Sequence, residues 1–396
     1  MQHRYPPPYV CSIGLCVWWL GFAPFLGAAV AESSADSSQV ITVPGMPTVI
    51  DRHNLYSETT ADHFSPAVAG AMVRVYVPNV LSNDVDIIDP STRKVVDHFK
   101  SPGNPQHVVP SWDLKTLWVV GSGRHHRHGS LTPIDPSTAK PSNAIKVPDA
   151  YNLYFTPDGA SAIVVAEGLK RLEFRDPHTM ALQSMLSVPE CQGINHADFS
   201  IDGRYVIFTC EFSGSLVKID VIERAVLGQL KLSHGGMPQD IRISPDGKVF
   251  YVADMMADGV FLIDGAIFAE VSFIPTGTGT HGLYPSRDGT KLYVSNRGSH
   301  QVKGKPHGPG SISVIDFATR SVQATWPIPG GGSPDMGNVS ADGKVLWLSG
   351  RFDGVVYAID TSTGDVESIP VGRQPHGLTI WPQPGRYSFG HTGNMR

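Results

Sequence analysis

The chain has 396 residues, a formal net charge of −5, only 17% charged residues and no Lys/Arg block. That balance gives nucleic acid and anionic membrane surfaces no electrostatic footing as partners. Glycine and proline number 41 and 32, which suits a fold of many tight turns and few helices.

The first 31 residues read as a targeting segment. Arg4 precedes an uncharged, largely apolar run from Val10 to Val30, and Ala29-Val30-Ala31 offers a small-x-small cleavage site. This predicts a secretory signal peptide cut after Ala31, and hence a periplasmic or secreted protein with no membrane span left. An uncleaved anchor is the other reading, since the run is long enough to cross a bilayer. Cys11 and Cys16 belong to this segment. The mature chain keeps Cys191 and Cys210, a pair expected to form a disulfide in an oxidising compartment. Residues 32–70 follow as a Ser-rich linker and an extended lead-in.

From residue 71 to 385 one pattern recurs. A β-rich run ends in aspartate, then come a Thr/Ser/Arg turn, an outer strand, a Gly/Pro-rich link and often an Asp-Gly turn. The closing aspartates are Asp89, Asp135, Asp176, Asp220, Asp264, Asp316 and Asp360, spaced 41–52 residues apart. A period of that size marks a propeller or solenoid. Each unit divides into four strands; the second strands, such as Leu117-Trp-Val-Val120 and Tyr205-Val-Ile-Phe208, are short and β-branched or aromatic. The first unit lacks an innermost strand, and Pro375-His-Gly-Leu-Thr-Ile-Trp381 supplies one at the other end of the chain. The expectation is an all-β, seven-bladed β-propeller, closed by a C-terminal strand that completes the N-terminal blade. Residues 386–396 are then a tail.

Leu292-Tyr-Val-Ser-Asn296 and Val75-Tyr-Val-Pro-Asn79, with Ser244-Pro-Asp-Gly247 and Ile315-Asp316, resemble the repeat of the bacterial YVTN-repeat β-propellers. The resemblance covers roughly residues 70–385. The same superfamily includes the haem d1 domain of cytochrome nitrite reductase and the propeller of nitrous-oxide reductase. It implies a scaffold; function must be argued from the site.

Counting back six or seven positions from each Asp-Gly turn marks the start of each inner strand, where side chains meet around the channel. The residues there are Gln106 and His107, Tyr151 and Asn152, Asn195 and His196, Gln239 and Asp240, His281, Asp335 and His376. Imidazoles and carboxylates are ligands for transition metals and also serve as acids and bases. The candidate metal ligands are therefore His107, His196, Asp240, His281, Asp335 and His376. The bland alternative is a hydrated polar mouth whose histidines brace neighbouring blades. The loops between second and third strands reach the same face. They offer 124–128 (Arg-His-His-Arg-His), Glu211, Met255, Met256, Arg297, His300, Lys303, Lys305, His307, Arg351 and Phe352. Gln106, Tyr151, Asn152, Asn195, Gln239, Arg297 and Arg351 are the candidate ligand-binding residues.

No Cys-x-x-Cys-His, Gly-x-Ser-x-Gly or phosphate loop occurs. The reading is an exported propeller that binds a small molecule, metal ion or protein at a His/Asp-lined mouth, without catalysis of its own. The alternative is an enzyme, either a metal-dependent hydrolase or lactonase, or a redox protein carrying a haem-type tetrapyrrole.

Overall fold

The computed structural model describes residues 39–123, 128–302 and 308–396. The leader, loop residues 124–127, and Lys303, Lys305 and His307 lie outside the described residues. The described chain forms seven sheets of at least four antiparallel strands and contains no α-helix. None of its helices is long and apolar enough to cross a membrane. Each sheet is a blade whose first strand lines the channel.

The recurring aspartate has a local cause. In all seven units its Oδ1 accepts backbone N–H groups two or three residues on, as from Ser91, Ser137, Thr179 and Ser362. This is the Asx turn that aspartate favours. The fourth residue after it is left-handed each time, for instance Arg93 at φ 54° and Gly364 at φ 80°. The Asp-Gly turns work similarly: the Ser244 hydroxyl donates to Asp246, and Val249 N–H donates back to Ser244.

The ring closes as the sequence predicts. Thr379–Trp381 pairs antiparallel with Arg74–Asn79, with Tyr76 opposite Thr379, so the first blade takes its inner strand from the far end of the chain. An isolated bridge from Pro375 to Asn79 extends this contact toward the mouth, and Gly377 bridges across to His107 of the second blade. Apolar clusters fill the gaps between blades, with Trp347, Trp381 and Tyr154 among the largest fully buried side chains.

Two segments cover the face opposite the mouth. Residues 43–72 run beneath the blades as a belt. Val43 N–H donates to Asp202 O, Leu55 to Pro245 O, Asp62 to Ala341 O and Met72 to Pro136 O, at 2.8–3.1 Å. Residues 383–396 turn into the channel as a plug. Phe155 N–H donates to Phe389 O, and His391 N–H to Leu153 O. Cys191 and Cys210 are joined by a disulfide across the start of the fourth blade.

Candidate functional site

The inner strands do not run true at the mouth. Pairing with the second strand slips between Pro105 and His107, Ile194 and Ala197, Pro238 and Ile241, Thr280 and Leu283, and Pro334 and Gly337. Such bulges re-aim side chains, and these ones turn the second and third residues of each strand toward the axis. The result is two tiers. Second positions give Gln106, Tyr151, Asn195, Gln239, His281, Asp335 and His376; third positions give His107, Asn152, His196, Asp240, Met336, Gly282 and Gly377. The two glycines make room. A Cβ on Gly377 would lie 2.1 Å from the His107 ring, and one on Gly282 would lie 2.8 Å from Asp335 O.

In the inner tier, His107 and His196 meet His391 from the plug. One ligand atom from each lies within 4.8 Å of the others, and all three residues are 0% exposed. Their ring centroids stand 4.6–5.5 Å apart. Each Nδ1 has a partner: His107 faces Tyr151 O at 2.9 Å, while His196 and His391 face Asn152 Nδ2 at 3.2 and 2.9 Å. Each Nε2 is buried and has no hydrogen-bond partner. Desolvation pushes His107 down to about 3 and takes His196 and His391 well below the ordinary imidazole range, so the three rings are neutral.

The outer tier differs. His281 Nδ1 lies 2.9 Å from Asp335 Oδ1, which also accepts from Arg297 Nη2 at 2.7 Å, and His376 Nε2 is 3.6 Å from Asp335 Oδ2. Arg297 also meets His281 Nε2 at 2.5 Å. Burial would raise the Asp335 carboxyl, but Arg297, His281 and His376 outweigh it and hold it well below the carboxylate range. These three ligand-type residues satisfy the spacing for a cation. The guanidinium of Arg297 already bonds His281 and Asp335 of this set, and Arg351 Nε stands 4.0 Å from Asp335 Oδ2. This tier is a charge network with its cation built in.

The remaining expected residues fall around these tiers. Gln106 meets His376 Nδ1 at 3.1 Å and Ser122 Oγ at 3.1 Å. Asn195 donates to Glu211, and Gln239 donates to Met237 O and bonds Glu211. Asp240 stands at the edge of the inner tier, with its Oδ1 3.7 Å from His391 Nε2. It accepts from Ile241 N–H, Leu283 N–H and Arg242, pinning the fifth blade to the sixth. His300 pairs with Asp258 at the rim. The counting missed His391, which lies outside the repeat. It also missed Glu167, which shares a hydrogen bond with Glu211; burial raises both carboxyls. The one sequence signal for the plug is a tail rich in glycine and aromatics, with Tyr387, Phe389 and His391, where a solvated end would carry charge.

A macrocycle does not fit these histidines. His107, His196, His376 and His391 are at most 2% exposed and packed ring against ring, so none presents a nitrogen to a tetrapyrrole plane. A single ion fits the inner tier better. His107 matches it as it stands, because Nδ1–H donates to a carbonyl and leaves the Nε2 lone pair free. For His196 and His391 an amide nitrogen faces Nδ1, so their Nε2 lone pairs become free only when the Asn152 carboxamide turns over.

Fold and channel together define a seven-bladed propeller closed on one face, with a buried histidine pocket under a charged mouth. The chain belongs to the YNCE-like β-propeller family, whose model matches residues 65–384. Over 189 residues it is 27% identical to Antigen Lp49 of Leptospira interrogans, covering 41% of this chain and 38% of that protein's length. A Bacteroides uniformis protein described as a 6-phosphogluconolactonase aligns with a TM-score of 0.61 at 18% identity, over 77% of this chain and 98% of that one. The dihydro-haem d1 dehydrogenase NirN, solved with DHE, aligns at 0.58 and 16% identity, over 86% and 78% of the two chains. At these identities the likeness to both structures is one of fold.

Proposed function

We propose that this chain is a transition-metal-binding propeller of an exported compartment, holding one divalent ion through His107, His196 and His391. The observation that carries the reading is three neutral, fully buried imidazoles that each bring one nitrogen within 4.8 Å of the others and whose Nε2 atoms make no hydrogen bond. Buried polar atoms are nearly always paired, so three unbonded nitrogens on rings packed together are best explained by a missing ligand. An all-imidazole set suits zinc, copper(II), iron or nickel over magnesium or calcium. Metal–nitrogen distances of about 2.0–2.1 Å require the nitrogens to draw together to roughly 3.4 Å. Turning Asn152 over breaks the bond from Leu153 N–H to its Oδ1. That costs about 1–3 kcal/mol, against apparent binding energies of about 10–16 kcal/mol at structural zinc sites. The metal term wins. The exported location is supported by the disulfide, which oxidising compartments preserve.

The test is titration of metal-stripped full-length protein with Zn²⁺ or Co²⁺. One ion per chain is expected, Co²⁺ should show the visible bands of a low-coordinate nitrogen site, and H196A should abolish uptake. A protein that takes up no stoichiometric ion overturns the reading.

A further inference from the structure

A neutral imidazole has one N–H and one lone pair, and its partners decide which nitrogen carries which. At His107 the Tyr151 carbonyl can only accept, so the proton sits on Nδ1. At His196 and His391 the same carboxamide nitrogen, Asn152 Nδ2, can only donate, so both protons sit on Nε2. The metal-free pocket therefore presents one lone pair and two N–H groups. That set suits hydrogen-bonding oxygen, a buried water between the rings and the Asp240 Oδ1 that lies 3.7 Å from His391 Nε2, and it opposes a cation.

The orientation of Asn152 is fixed by its own strand. Its Oδ1 accepts the N–H of the next residue, Leu153, at 2.8 Å. On the inner strands of the next two blades, Asp198 and Asp240 make the same bond to Phe199 and Ile241 at 2.8 and 2.9 Å, and an aspartate necessarily offers oxygen there. Asn338 does so to Val339 at 2.7 Å. The channel thus uses one device repeatedly, an acidic or amide oxygen clipped to its own strand. At Asn152 alone among these four, the other end of the group faces two histidine rings. Tyr154 OH, 3.4 Å from Nδ2, is the remaining polar neighbour.

From this we infer that Asn152 is the positioning residue that sets the metal affinity of the three-histidine pocket, holding the metal-free pocket in a form that binds a buried water and admits an ion only when the carboxamide reverses. The inference rests on the metal reading above. It also names what that reading lacks: a reason for the pocket to be stable and correctly hydrogen-bonded when empty of metal. Asparagine makes the site switchable; aspartate would fix it in the metal-ready form, with Oδ1 kept on Leu153 N–H and Oδ2 accepting from both Nδ1–H groups.

Two measurements test it. In metal-free wild-type protein, imidazole ¹⁵N NMR should show His196 and His391 protonated on Nε2 and His107 on Nδ1. A metal-free protein with His196 or His391 protonated on Nδ1 overturns the inference, whatever the protein does with metal. In competition titrations with Zn²⁺, N152D should bind at least tenfold more tightly than wild type, and its ¹⁵N pattern should show both rings switched to Nδ1–H before metal is added. Equal or weaker Zn²⁺ binding by N152D overturns the inference while leaving the metal reading standing. If neither protein takes up Zn²⁺, the metal reading falls, and the wild-type NMR pattern alone decides the assignment of Asn152.

Discussion

The upper and lower halves of the channel are built on the same inner strands, yet they treat buried polar groups oppositely. In the lower half Asp198 is saturated. It accepts from Phe199 N–H, Ile243 N–H, Asn394 and Arg396 at 2.7–2.9 Å. Asn338 likewise holds Gln383 and the Thr392 carbonyl of the plug. In the upper half the Nε2 atoms of His107, His196 and His391 make no hydrogen bond, and Asp335 Oδ2 is met only by ionic contacts at 3.6–4.0 Å. A saturated network rigidifies and is costly to break. An unsatisfied one is maintained by its surroundings and gains when a ligand arrives. The lower half therefore reads as architecture and the upper half as a site.

The largest break in this comparison is deletion of everything after Gly372. It strips the first blade of its inner strand, removes the plug and leaves Asp198 without two of its side-chain partners. We expect insoluble protein, checked by expression and sedimentation; a truncated chain that melts like the full one would refute the closure. Acidification comes next, and it strikes the upper half. Burial holds the histidines His107, His196, His281, His376 and His391 below their free value of 6.5, with His281 near 4. The unfolded chain therefore takes up protons first. Stability is complete above about pH 6.5 and is lost as pH falls below it, by up to about 1.4 kcal/mol per pH unit for each histidine. Urea midpoints measured from pH 7.5 to 4.5 on metal-free protein should fall steeply; a flat profile contradicts neutral burial.

Arg396→Ala should cost about 3–5 kcal/mol, because it leaves Asp198 buried and short of its counter-charge. Removing the disulfide by C191S/C210S opens a loop with a sequence separation of 19, at a cost of about 3 kcal/mol in the chain-entropy model; thermal melts with and without reductant check it. The smallest effect sharpens the contrast. His196→Ala should lower metal-free stability by about 1–3 kcal/mol, since it takes one buried acceptor from Asn152 Nδ2, while abolishing metal uptake.

Much of the fold was legible because the repeat has a local cause. An Asx turn needs aspartate at one position and imposes a positive φ four places later on whatever residue stands there, so Asp89 through Asp360 announce every blade. The height of each site residue was legible for the same reason, since the count from an Asp-Gly turn fixes the register at the bulge. What the count could not give was partnership. Asp240 has the right residue type at the right height, but Arg242, two positions on, takes its charge, and its second oxygen goes to the neighbouring blade. Arg297 comes from a long loop, and its meeting with Asp335 depends on how that loop folds back. His391 is the clearest gap: repeat logic places only residues that repeat, and the third imidazole of the pocket comes from the segment that does not.

The belt of residues 43–72 bears on how the molecule comes apart. A propeller fastened by one strand from each end of its chain is a split ring, and its native place to fray is the joint in the first blade. Here Asp62 is bonded beneath the seventh blade at Ala341, and Met72 beneath the second at Pro136. The stretch between them bridges the joint from outside. A gap cannot widen there until the bridge has also let go, so local opening at the joint is tied to a much larger loss of structure. Amide hydrogens of Arg74–Asn79 should then exchange at a free energy close to that of global unfolding, and the seam should be no weaker than the rest of the ring.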